Sequence, residues 1–213
     1  MLPRRILSVT AQCAMLGALA SAGHAASPSF DCKRAEGQIE QMICKDDTLA
    51  RLDKETTRLY GLALDARSMS TGRKKTLLAE QRGWIKGRND CWKATDARAC
   101  TTAEYIDRIH LLRQNYAGAR TQDAKGISRG PFSVRCPGAD ALILATFVQT
   151  EPGYAYLTWL DKKLLLSQTR AASGARYAAT TDAGEAMFWD KGPEAQLELP
   201  GKPAMTCRVE APE

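Results

Sequence analysis

The sequence is poor in histidine and in aromatic residues, and it lacks closely spaced cysteine pairs. Its 213 residues include two histidines, and because His24 falls in the N-terminal leader, only His110 remains afterwards. No two cysteines have the C-x2-C spacing typical of zinc sites. These absences argue against a histidine-activated serine hydrolase and against a zinc protein, and we expect no cofactor.

The charge is mild and unevenly distributed. The formal net charge is +6, with the excess of Lys and Arg in residues 27–120, and aromatic residues make up 7% of the chain. A nucleic-acid-binding protein would need a strongly basic face carrying aromatic side chains. We therefore expect no nucleic-acid partner.

The only long apolar stretch lies at the N-terminus, where Arg4 and Arg5 precede it and Gly23 and Ala25 suit a cleavage site. This pattern predicts a signal peptide over residues 1–25. Gln12 interrupts the stretch, which argues against a transmembrane anchor. No lipid site is evident either, and the expected product is a soluble periplasmic protein.

Signal cleavage leaves an even number of cysteines in an oxidising compartment, which predicts three disulfides. Their pairing is left open by the spacing alone. The six positions are Cys32, Cys44, Cys91, Cys100, Cys136 and Cys207.

Two segments with different periodicity follow, so the predicted fold class is α+β with two domains. Apolar residues at helical spacing, such as Leu49, Leu52 and Leu59, predict a small disulfide-bonded helical domain of three or four helices over residues 27–117. Residues 118–130 are polar and aperiodic and are interpreted as a linker. Eight short β-branched runs in residues 131–213 predict an eight-stranded antiparallel barrel or sandwich. A bridge between Cys136 in the first run and Cys207 in the last would tie its ends together.

Two glycine-containing stretches carry the candidate chemistry, SGARY at residues 173–177 and DKG at residues 190–192. Both are explained simply as hairpin turns. A Ser173–Lys191 hydrolase would need a desolvated lysine and an oxyanion hole, which nothing else in the sequence signals. The four tryptophans, Trp189 among them, are expected to be core or half-buried packing residues.

Residues 132–210 resemble the C-type lysozyme inhibitor family, the MliC/PliC group of Gram-negative bacteria. The motifs S-G-x-x-Y and K-G-x-x-x-x-L are present as SGARY and KGPEAQL, in order and between Cys136 and Cys207. The resemblance implies an eight-stranded barrel that is not an enzyme and binds C-type lysozyme. Ser173 and Lys191 would enter the lysozyme cleft, Gly174 and Gly192 would permit close approach, and Tyr177 would brace the loop.

The helical segment resembles the LprI-type domain of exported bacterial proteins, some of which are linked to lysozyme inhibition. The shared residues are the C-x11-C pattern starting at Cys32, the EQRGW run followed by Cys91, and the Y-x-x-R-I-x-x-L pattern at Tyr105. This resemblance makes the local pairs Cys32–Cys44 and Cys91–Cys100 plausible. An alternative function is a cell-envelope module whose basic helical domain binds peptidoglycan without inhibiting lysozyme.

Overall fold

The computed structural model describes residues 26–120 and 124–211, and the predicted signal peptide lies outside them. The N-terminal part is helical, with short 3-10 turns at Cys32–Arg34, Asp90–Lys93 and Ala117–Arg120. Its four α-helices are α1 (Gln38–Lys45), α2 (Asp47–Leu64), α3 (Thr71–Asn89) and α4 (Ala97–Asn115).

Short polar side chains set the starts of three helices. Asp46, Ser70 and Asp96 each accept a hydrogen bond from the backbone N–H three residues further on, at 2.9, 3.3 and 2.8 Å. These bonds satisfy amide groups that have no partner within the helix. These three capping residues therefore fix where α2, α3 and α4 begin.

The helical core is built from the predicted apolar stripe of α2 and from α4. Leu52 and Leu59 are fully buried against Tyr105 and Ile109. Disulfides Cys32–Cys44 and Cys91–Cys100 join the 3-10 turns to α1 and α4. Disulfides commonly reinforce small exported domains, which bury a limited fraction of their surface.

The C-terminal part is a closed antiparallel barrel in which each strand pairs with the next and β8 pairs with β1, which confirms the predicted fold class. Its interior holds alternate side chains such as Phe147, Phe188 and Leu197. Cys136 and Cys207 are bridged where β1 ends beside β8. The strands are β1 (Ser128–Arg135), β2 (Ile143–Val148), β3 (Tyr154–Trp159), β4 (Lys162–Thr169), β5 (Ala175–Thr181), β6 (Gly184–Asp190), β7 (Glu194–Glu198) and β8 (Met205–Glu210).

The helical domain packs directly on the outer face of β2, β3 and β4. His110 of α4 is fully buried there, with Nδ1 2.8 Å from the Thr146 hydroxyl and Nε2 3.1 Å from that of Thr158. The Asp107 carboxylate accepts hydrogen bonds from Tyr156 at 2.5 Å and Lys163 at 2.8 Å. Polar groups that face each other across this junction are therefore paired, as burial requires.

A second set of buried contacts holds the start of β1. The Arg113 guanidinium is fully buried and donates to the Ser128 hydroxyl at 3.0 Å and to the Ala119 carbonyl at 2.9 Å. The Ser128 hydroxyl in turn donates to the Glu55 carboxylate. Ser128 thus begins a strand within residues 118–130, the range interpreted as a linker, because groups of α2 and α4 hold it.

Candidate partner-binding site

The turn that carries Ser173 joins β4 to β5. Gly174 has φ +65°, and a Cβ placed on it would lie 2.3 Å from the Asp190 carbonyl oxygen of β6. Only glycine fits this position without strain. Ser173 is exposed, and its hydroxyl has no hydrogen-bond partner among the residues that the structure describes. The turn therefore presents a free hydroxyl next to the neighbouring strand.

The turn that carries Lys191 joins β6 to β7 and is closed by its own backbone. The Lys191 N–H donates to the Glu194 carbonyl at 2.9 Å, and the Asp190 carboxylate accepts from the Gly192 N–H at 2.9 Å. Gly192 has φ +90°, a conformation that glycine favours. Lys191 is exposed and, within residues 26–120 and 124–211, forms no ion pair.

Trp189 links the two turns. Its indole N–H donates to the Ser173 carbonyl oxygen at 2.9 Å, and its ring lies under the Lys191 ammonium, with Nζ 3.9 Å from the ring centroid. Successive residues of a strand point to opposite faces. Phe188 therefore fills the interior, whereas Trp189 and Lys191 share the outer face. The Trp189 side chain therefore contacts both the Ser173 turn and the Lys191 ammonium.

The remaining predicted residue, Tyr177, lies inside the barrel. It is 7% exposed, and its ring centroid is 5.7 Å from that of Phe147. Burial, followed by the charge of Asp190, raises the pKa of its hydroxyl. The structure thus brings Ser173, Gly174, Lys191 and Gly192 together on the surface and places Tyr177 beneath them.

The contribution of Trp189 is what the sequence reasoning missed. The signal was present in FWDKG, because a residue two positions before Lys191 shares its face when the strand continues into the turn. Residue spacing alone does not show that β5 and β6 pair with Ala175 opposite Asp190, which brings the indole to the Ser173 turn.

The surroundings do not resemble a hydrolase site. His110 is buried between the domains, where desolvation lowers its pKa to about 4, and it contacts threonines of β2 and β3. Lys191 is exposed, whereas a lysine acting as a base is usually desolvated. In the described part of the chain, no three His, Cys, Asp or Glu side chains cluster as metal ligands would.

The two turns project a hydroxyl and an ammonium outward, whereas sites for small molecules are usually concave and mostly apolar. Residues 134–206, which include both turns, match the family model described as membrane-bound lysozyme-inhibitor of c-type lysozyme, MliC.

Over 185 residues the chain is 28% identical to lipoprotein LprI of Mycobacterium bovis and of Mycobacterium tuberculosis. The alignment covers 86% of this chain and 85% of the relative, and thus extends across both the helical and the barrel parts. No solved structure matches the chain significantly. No helix of the described residues is long and apolar enough to cross a membrane.

Proposed function

We propose that this protein is an inhibitor of C-type lysozyme that acts in the cell envelope as a soluble periplasmic protein and is not itself an enzyme. The observation that carries the proposal is the pair of coupled turns, which lies within the region matching the MliC family model and presents Ser173 and Lys191 at one end of the barrel. The similarity to lipoprotein LprI over most of the chain supports an envelope location.

The chemistry of lysozyme explains why these two groups suit the task. Lysozyme cleaves a glycosidic bond between two carboxyl groups, one of which is a general acid and the other a nucleophile or stabiliser. In the proposed complex, the Lys191 ammonium forms charge-assisted hydrogen bonds to these carboxylates and the Ser173 hydroxyl bonds within the pair. Both catalytic groups are then occupied and shielded from the sugar.

The expected loss of inhibition can be worked out from the free energy that each contact contributes. Removing one partner of a desolvated charge pair costs about 2 to 5 kcal/mol. This corresponds to inhibition weakened from about 30-fold to several thousand-fold. Ser173 contributes a hydrogen bond to a charged group, about 1.5 to 3 kcal/mol, so its loss weakens inhibition about 10- to 150-fold.

The test is the inhibition constant of the mature protein, Lys191→Ala and Ser173→Ala against a C-type lysozyme, with circular dichroism as a check on folding. Lys162→Ala is the matched control, since this exposed lysine also lies beside a tryptophan, with Nζ 6.0 Å from the Trp159 ring, but at the β3–β4 turn. We expect Lys162→Ala to inhibit like the wild type. Absence of inhibition by the wild type, or full inhibition by folded Lys191→Ala, would refute the proposal.

Peptidoglycan binding by the helical domain is a second candidate, favoured by the outward face of α3. Lys75, Arg82 and Lys86 are all exposed there and have no ion pair within the described residues. Sedimentation with purified sacculi tests this activity. Equal retention of the wild type and a Lys75→Gln/Arg82→Gln/Lys86→Gln variant would show that this face is not responsible.

A further inference from the structure

The outer wall of the barrel has a groove next to the Lys191 turn. It runs across β7, β8 and β1, has a volume of about 580 Å³, and is bordered by the Cys136–Cys207 disulfide. The residues that line it include Leu142, Arg135, Glu194 and Arg208. The helical domain packs on β2, β3, β4 and the start of β1 at Ser128, whereas the groove is lined by the other end of β1, at Arg135 and Cys136.

The groove combines an apolar contact with a free cation. Leu142 lines the groove and is 42% exposed, so its side chain is accessible to a partner. Arg135 is already paired with Glu210 at 3.0 Å. Arg208 is exposed, lies opposite Glu194 in the β7–β8 ladder, and forms no ion pair in the described parts of the chain. An apolar side chain and a carboxylate of a partner would both find complements here.

The groove is continuous with the Lys191 turn through the backbone. Glu194, which lines the groove, accepts the hydrogen bond that closes this turn, and the Val209 N–H of β8 donates to the Pro193 carbonyl at 2.9 Å. A protein that receives Lys191 in its cleft therefore lies against the start of the groove.

The size of a stable interface requires contacts beyond the two turns. A standard protein–protein interface buries about 800 Å² on each partner and involves roughly 20 to 30 residues of each. The turns, residues 170–174 and 191–193, supply far fewer than that. Arginine is among the residues that most often carry the affinity of an interface, which makes Arg208 a suitable further contact.

We infer that the groove across β7, β8 and β1 is a second contact surface for the same lysozyme, in which Leu142 packs against an apolar side chain and Arg208 pairs with a carboxylate. This inference rests on the proposed function. With the groove included, the proposed lysozyme-binding surface runs without a break from the Ser173 turn across the Lys191 turn to Leu142.

The experiment compares inhibition constants of Leu142→Glu and Arg208→Glu with the wild type and with Lys191→Ala. Leu160→Glu is the control for a charge introduced at an exposed leucine, since Leu160 is 73% exposed in the β3–β4 turn. Arg67→Glu is the control for charge reversal, since Arg67 is exposed between α2 and α3 and forms no ion pair within the described residues. We expect each groove variant to inhibit about tenfold less well or worse, and each control to stay within about twofold of the wild type.

Both altered side chains are exposed, so the variants should keep the thermal unfolding midpoint of the wild type, which is measured alongside. Full inhibition by both groove variants, with inhibition lost in Lys191→Ala, would overturn the groove contact and leave the proposed function standing. Equal losses in the groove variants and the controls would also overturn it, because the effect would then be one of overall charge. If the wild type does not inhibit, both proposals fail together.

Discussion

Trp189 offers the sharpest test of how the two turns act together. Trp189→Phe keeps an aromatic ring under Lys191 but removes the indole N–H that donates to the Ser173 carbonyl at 2.9 Å. A neutral hydrogen bond of this kind contributes about 0.5 to 1.5 kcal/mol. If the bond holds the Ser173 turn in its binding position, its loss weakens inhibition by about 2- to 12-fold.

Trp189→Leu removes the ring as well. A cation–π contact at an exposed site contributes about 0.5 to 1 kcal/mol, so the two losses together come to about 1 to 2.5 kcal/mol. We therefore expect inhibition by Trp189→Leu to be about 5- to 70-fold weaker than that of the wild type, a larger loss than in Trp189→Phe.

The assay is the inhibition constant against a C-type lysozyme, with unfolding midpoints measured in parallel. Trp159→Phe is the matched control because Trp159 also lies beside a lysine, Lys162, but far along the strand from the two turns. Wild-type inhibition by a folded Trp189→Leu variant would refute the positioning role. An equal loss in Trp159→Phe would show that the effect is general to the barrel.

Three further outcomes follow from the structure. Gly174→Ala should lose inhibition and lower the unfolding free energy by about 1 to 3 kcal/mol, because φ is +65° and the Asp190 carbonyl blocks the new methyl group. Urea titration measures the change in unfolding free energy. Replacing Cys136 and Cys207 by serine should cost about 2 to 5 kcal/mol, seen as a lower unfolding midpoint; an unchanged midpoint would contradict it. Burial lowers the pKa of His110 from 6.5 to about 4 and thus favours its neutral form. The free energy of unfolding should therefore fall by up to about 3 kcal/mol as the pH drops from 6.5 to 4. His110→Gln should flatten that pH dependence in unfolding titrations.

The strands were predictable because turn residues and periodicity act locally. Each of the eight strands coincides with a short run bounded by turn residues, and most of these runs are rich in β-branched and aromatic residues. The glycines at 174 and 192 mark turns that need positive φ. The apolar stripe of α2 was equally clear, since one face of that helix packs on α4.

The docking of the two domains was not predictable in the same way. In the sequence, His110 is a single polar residue on a predicted helix. Its partners Thr146 and Thr158 lie 36 and 48 residues further along the chain, so no local pattern connects them to it. Thr146 faces outward from β2, yet it is fully buried. Strand periodicity assigns such a position to solvent, and only the three-dimensional packing shows that α4 covers it. The Ser173 and Lys191 motifs were visible because they are local, whereas the indole that joins them required knowledge of strand pairing.

The buried contacts of Ser128 affect how far the barrel can reach. Two domains joined by a flexible linker sample a volume that grows with the length of the linker, and the effective concentration of one near the other's target varies accordingly. Here Arg113 and Glu55 hydrogen-bond to the first residue of β1, which ties the start of the barrel to α4 and α2. If the helical domain is attached to an envelope surface, this junction limits the distance and direction that the end of the barrel carrying the two turns can reach. A lysozyme bound at the turns would transmit force directly to the helices.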